Sequence, residues 1–350
     1  MKHPDLNIRL LILFLILLAG TLISLSFFRK QRPLPYSEEM NRSVELTEDM
    51  FAVIQQLKLD RNIVSDAHSS VPFGFMIGDE WSDITTTLGS LEAKEISTNP
   101  EFSALIVRLM LESGISAGDR VGIIMSGSFP SLAISALAAI QTIGAEAVVM
   151  SSVGSSTYGA NQPGATWLDM ATALGRQGLI FNTVLVSIGA GDDAGIGLSD
   201  EGLSIARNAA YRNKVDLYVP SSLLESINKR VEIFKDEKIS LLINIGGNET
   251  ALGNCAQSLS IPNGLNARLS ECNDKYRGVI TRMNETGIPF INMLDIKDLA
   301  SRYGLDISPG TVYSESDALY NSTTTNKPVI AVILAISVIP VLLLRKRTHI

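Results

Sequence analysis

From Gly118 to about Tyr303 the chain alternates short β-branched runs with helical stretches of about a dozen residues, and this alternation is the strongest restriction on its fold. Residues 120–125, 147–150, 183–188, 216–219, 240–245 and 288–294 read as strands. Between and after them, residues 131–142, 167–176, 199–211, 221–234, 274–285 and 296–303 carry helical periodicity. Strands separated by whole helices cannot pair as tight hairpins; they need crossover connections, which run strands parallel and cover both sheet faces. The expectation is an α/β domain with a mostly parallel, Rossmann-like sheet.

A helical lead-in precedes it. Met40, Val44, Met50, Phe51, Ile54 and Leu57 recur at near-helical spacing after Ser37, Glu38 and Glu39, which predicts a helix capped at Ser37. Phe102, Leu105, Ile106, Leu109 and Met110 mark a second helix over 100–112, and residues 66–74 read as a loop. Residues 314–326 are Ser/Thr-rich and read as a polar linker.

Two apolar runs, 10–28 and 329–344, bracket this body. Each approaches the ~20 residues that cross a bilayer core. The alternative for the first is a cleaved signal peptide, though it exceeds the usual ~7–15 apolar residues and lacks a small-x-small end. The alternative for the second, which contains Pro340, is a buried core helix. The anchor reading divides the chain into an anchor (1–30), the lead-in (31–117), the α/β domain (118–313), the linker (314–326) and a second anchor with a basic tail (327–350). It predicts a cell-membrane protein with two transmembrane helices. Lys2, Arg9, Arg345, Lys346 and Arg347 favour an extracytoplasmic body, while Arg29, Lys30 and Arg32 oppose it.

The formal net charge is −7, and eight of the 29 basic residues lie in those ends against one acid of 36, so the body is more acidic than the whole. Such a surface repels polyanions, and no basic stripe interrupts it, which excludes general nucleic-acid binding. Cys255 and Cys272 have no histidine near them in sequence, so no four-ligand zinc site can be written. They are either two unrelated thiols or a disulfide worth ~3 kcal/mol on the chain-entropy model.

Ligands of parallel sheets bind outside the carboxyl ends of the strands. Four such ends carry small polar residues: Ser126-Gly127-Ser128, the stretch with Ser155 and Ser156, the turn with Asp192 and Asp193, and Asn248-Glu249. The first precedes a helix start at Pro130, where free N–H groups suit a phosphate or carboxylate; a plain helix-capping turn explains it equally. Asp192, Asp193 and Glu249 suit an oxygen-ligated cation or an acid–base pair, or else cap helix ends. No nucleophile elbow, phosphate loop or Ser-His-Asp arrangement is present, and no cofactor or catalytic residue is identified.

The stretches Asp119–Pro130, Ser151–Asn161 and Ile245–Asn248, with apolar ends on both sides, resemble the family of poly-gamma-glutamate system proteins. The resemblance covers most of residues 84–306. It implies a bacterial envelope protein that works beside the proteins making and exporting poly-γ-glutamate, with the membrane and other proteins of that system as partners. It carries over no catalytic residues. An acidic body suits assembly or a small precursor better than the polyanionic product. A membrane-tethered enzyme acting on a small anionic substrate near Ser126, Asp192 and Glu249, or a scaffold that binds nothing, are the competing expectations.

Overall fold

The computed structural model describes residues 15, 20, 29–63, 68–254, 258, 260–269, 274–308, 313 and 316–325. The chain divides into two compact units, Met1–Pro35 with Tyr320–Ile350, and Tyr36–Leu319. In the first, Arg29–Pro33 pairs antiparallel with Asn321–Thr325, from Arg29 opposite Thr325 to Pro33 opposite Asn321. Asn321–Thr325 lies inside the stretch that reads as a linker, and its three consecutive threonines suit a strand.

Here the expectation of flanking transmembrane helices is corrected. Among the described residues no helix is long and apolar enough to cross a membrane. Apart from Leu15 and Gly20, the runs at 10–28 and 329–344 lie outside the described residues, as do Cys255 and Cys272. A membrane location with two spanning helices therefore has no structural support, and the described flanks form a short polar ribbon.

The second unit is built on a six-stranded sheet. Its strands are β1 (Arg120–Met125), β2 (Glu146–Ser152), β3 (Asn182–Ser187), β4 (Leu241–Ile245), β5 (Gly264–Asn266) and β6 (Phe290–Met293). Their spatial order is β5-β6-β4-β1-β2-β3. All pairs are parallel except β5 with β6. The sheet is thus mixed. The edge strand escapes the sequence reading because its three residues, Gly-Leu-Asn, lack an apolar run. The strand expected at 216–219 reduces to one bridge between Ser187 and Tyr218. Pro220 follows at once and can donate no ladder hydrogen bond.

Central β1 has every residue after Arg120 buried, as a strand covered on both faces requires. One face carries α4 (Pro130–Ile143), whose residues 130–140 are all buried. Its alanines allow close approach on every side, because α1 (Ser37–Asp60) and α3 (Glu101–Glu112) pack against it from outside. The expected cap at Ser37 is corrected: Ser37 is the first residue of α1, which begins without a side-chain cap. On the other face α7 (Leu223–Asp236) and α8 (Val279–Asn284) bury Ile227, Val231, Phe234, Val279 and Ile280 against Ile124, Val148 and Leu242. Gly122 permits this closure, since a Cβ there would lie 2.6 Å from Ile239 Cδ1 and 2.9 Å from Phe234 Cε1.

A polar clasp joins distant segments. In α5 (Trp167–Arg176), Asp169 closes a capping box on Thr166. Asp169 also pairs with Arg61 beyond α1 at 2.8 Å and with Arg212 at 2.6 Å, on α6 (Asp200–Asn213). Burial opposes its ionisation, yet hydrogen bonds from Arg212, Arg61, Asn213 and Thr166 hold the carboxyl below the usual carboxylate range.

Candidate functional site

The chain lays down β1, β2 and β3 in one direction and then returns to place β4 on the other side of β1. That reversal opens a crevice at the carboxyl ends of β1 and β4, the place where open α/β sheets bind ligands. A cavity of about 470 Å³ occupies it. Its walls come from the ends of five strands: Ser126, Ser128 and Phe129 after β1; Ser152 at the end of β2 with Gly154 and Ser156 beyond it; Gly189–Gly191 and Asp193 after β3; Gly247–Thr250 after β4; and Leu294 after β6. Thr86, Thr87, Leu88 and Gly89 of the lead-in close the remaining side. The short strands Thr85–Thr87 and Ser155–Ser156 pair in parallel and hold that side in place.

The serines form one hydrogen-bonded cluster. Ser126 Oγ donates to Ser128 Oγ at 2.8 Å, and the Ser156 N–H donates to Ser128 Oγ at 3.0 Å. Behind Ser156 stands Lys94, on α2 (Leu91–Ser97), which is 2% exposed. Its Nζ lies 2.9 Å from Ser156 Oγ, donates to the Ser128 carbonyl and sits 3.6 Å from the Phe129 ring centroid. Its partners are a carbonyl, a hydroxyl and an aromatic face, none of them an anion. Burial brings the ammonium down from 10.5 to about 7, so near neutrality much of Lys94 is a free amine. Gly89 keeps Ser156 open, since a Cβ on Gly89 would stand 2.9 Å from Ser156 Oγ.

Across the cavity Asp193 is fully engaged. It accepts from Ser187 Oγ at 2.6 Å and Ser226 Oγ at 2.7 Å and pairs at 2.8 Å with Arg230, itself 2% exposed. Both charges are buried, so each depends on the other. Gly189, Ala190, Asp192, Asp193 and Gly195 all have positive φ, from 52° to 84°. For the three non-glycine residues this is a strained geometry, of the kind held in place at ligand clamps. On the β4 side Asn248 Oδ1 caps a short turn through the Ala251 N–H at 2.7 Å. Among the described residues its buried Nδ2 has no partner. Glu249 accepts from Asn254 Nδ2 at 2.7 Å.

Of the residues singled out in the sequence, Ser126, Ser128, Ser156, Asp193, Asn248 and Glu249 line this one cavity; Gly127, Ser155 and Asp192 do not. Ser155 turns inward to the Gly127 and Ser156 carbonyls. Asp193 and Glu249 share the cavity but form no cation cluster. Among the described residues no group of three or more His, Cys, Asp or Glu is placed to hold a metal. Ser152, in the same small polar stretch as Ser155 and Ser156, also lines the cavity, whereas Lys94, Gly89 and Arg230 were not legible as site residues. Lys94 sits on a helix of seven residues with no apolar periodicity to announce it, 34 and 62 positions before the two serines it meets.

Fold and cavity together define the class: an α/β protein with a mixed, mostly parallel sheet and a cavity at its topological switch point. Comparison with known protein families, curated proteins and solved structures gives no match to this chain.

Proposed function

We propose that this chain is an accessory protein of poly-γ-glutamate synthesis or export, and that it takes a small glutamate-like ligand, not the polymer, into the cavity at the strand ends. The cavity's position carries the reading of a ligand site: polar residues from several chain segments converge there, in a volume of about 470 Å³ that is typical of small-ligand pockets. The glutamate context rests on the family resemblance alone.

Charge supports a small zwitterion. The acidic body repels a long polyanion. The cavity's hydroxyls, and the dipole of α4, whose uncapped amino end follows Phe129 of the wall, favour a carboxylate. Glu249, which also lines the cavity, favours an ammonium group. Other proteins of the same system would supply the ligand or receive it.

Titration calorimetry on the full chain tests this, with L-glutamate and γ-L-glutamyl-L-glutamate as probes. Saturable heat with at least one probe is expected, lost in Gly89→Leu, whose side chain would fill the space over Ser156. Silence with both probes refutes the glutamate reading. Binding that Gly89→Leu leaves intact refutes the cavity as its place.

A further inference from the structure

Among the described residues Ser156 is the one cavity hydroxyl bonded to a buried amine, and that pairing has a chemical consequence. We propose that Ser156 and Lys94 are a nucleophile–base pair that transfers an acyl group from a small amide or ester to water or to an amine. The inference rests on the reading of the cavity as a ligand site and assigns that site a reaction class.

Three observations carry it. Lys94 Nζ and Ser156 Oγ are 2.9 Å apart, within reach of direct proton transfer. Ser156 lines the cavity while Lys94 stands behind it, so the amine meets a bound molecule only through the hydroxyl. This is the geometry of a base, whereas a lysine that forms an imine must itself face the substrate. The Ser128 carbonyl and the Phe129 ring fix the remaining directions around Nζ and aim one at Ser156. Protonated, Lys94 donates to Ser156; deprotonated, it offers a lone pair to the Ser156 proton.

The surrounding carboxylates leave this lysine alone. Glu92, on the same helix, pairs with Lys297 at 2.6 Å on Ile296–Tyr303; Asp193 is held by Arg230; Glu249 is bonded by Asn254. Burial is what lowers its ionisation.

The steps balance without an oxidant or metal. Ser156 Oγ forms a bond to the substrate carbonyl carbon as Lys94 takes the hydroxyl proton. The charge that develops on the carbonyl oxygen is favoured by the dipole of α4, whose uncapped amino end follows Phe129 of the cavity wall. The C–N or C–O bond then breaks, and the departing amine or alcohol receives the proton from Lys94. Water or an acceptor amine attacks the resulting Ser156 ester, again with Lys94 as base, and Ser156 leaves with its proton restored.

The test is covalent labelling of the full chain with a fluorophosphonate, followed by intact-mass and peptide mass spectrometry. One adduct on Ser156 is expected, with a labelling rate that rises about tenfold from pH 6 to pH 8 around a midpoint near 7. Lys94→Met should slow labelling at least a hundredfold at pH 8, and Ser156→Ala should abolish it. The wild-type profile stands whether or not either variant folds. Adducts elsewhere only, no labelling between pH 6 and 9, or a folded Lys94→Met that labels at the wild-type rate would each overturn the proposal. Calorimetry on the same samples separates the two readings. A chain that binds the glutamate probes and resists the fluorophosphonate loses the acyl-transfer assignment alone. A chain labelled on Ser156 that binds neither probe loses only the glutamate reading.

Discussion

Replacing Lys94 by methionine is expected to stabilise the protein near neutral pH, although it removes a residue with two hydrogen bonds. The fall from 10.5 unfolded to about 7 folded means that the native state resists the charged form, by about 5 kcal/mol. Below pH 7 both states hold the proton and the full penalty is present. Between 7 and 10.5 the unfolded chain binds the proton and the folded one does not, so stability rises with pH. Above 10.5 the penalty is gone. Methionine carries no such penalty at any pH, but it leaves the Ser128 carbonyl and Ser156 Oγ without their donor, a loss of about 1–3 kcal/mol. The variant should therefore gain roughly 2–4 kcal/mol at pH 6 and, after a swing of about 4 kcal/mol, be between equal to wild type and about 2 kcal/mol less stable at pH 10. Urea unfolding of both proteins at pH 6, 8 and 10, with equal m-values, measures the difference. Parallel pH dependences, or a variant less stable at pH 6, would show that Lys94 is either solvated or paired with an anion in the folded protein, and the argument for a neutral amine would fail.

Two further outcomes follow from buried charge. Asp193→Ala strands Arg230 in the interior with no countercharge and should lower stability by about 3–5 kcal/mol, whereas removing both, Asp193→Ala with Arg230→Met, should recover much of it; a double-mutant cycle in urea checks the coupling, and additive losses would refute it. For Asp169, whose folded carboxyl is held below the ordinary range, the stabilisation is present above its unfolded value of 3.8 and is lost as acid drives it through the lower folded value. Asp169→Asn should therefore cost about 1–3 kcal/mol at pH 7, since Arg61 and Arg212 are each about one-third exposed and regain water, and it should flatten the acid limb of the stability profile; equal acid limbs would contradict the clasp.

The local pattern of residues determined the α/β class, because alternating strands and helices of these lengths leave few connections other than parallel crossovers. Arg120–Met125 and Trp167–Arg176 coincide with their expected bounds, since apolar periodicity and punctuation by Gly118, Ser126 and Thr166 are properties of adjacent residues. The small polar residues after β1, β2, β3 and β4 were likewise visible, because such loops stand out against apolar strands.

Apolar length suggested two spanning helices, but no such helix occurs among the described residues, and the described flanks pair as a polar ribbon. Strand order belonged to tertiary structure alone. Nothing local in Leu241–Ile245 says that it returns to lie beside Arg120–Met125, yet that return makes the crevice and chooses which loops meet. The same holds for Lys94, which no periodicity marks. Its chemistry arises only when packing removes water from its amine and sets Ser156, far along the chain, 2.9 Å away. Burial and long-range proximity are properties of the folded chain, and they convert an ordinary lysine into a base.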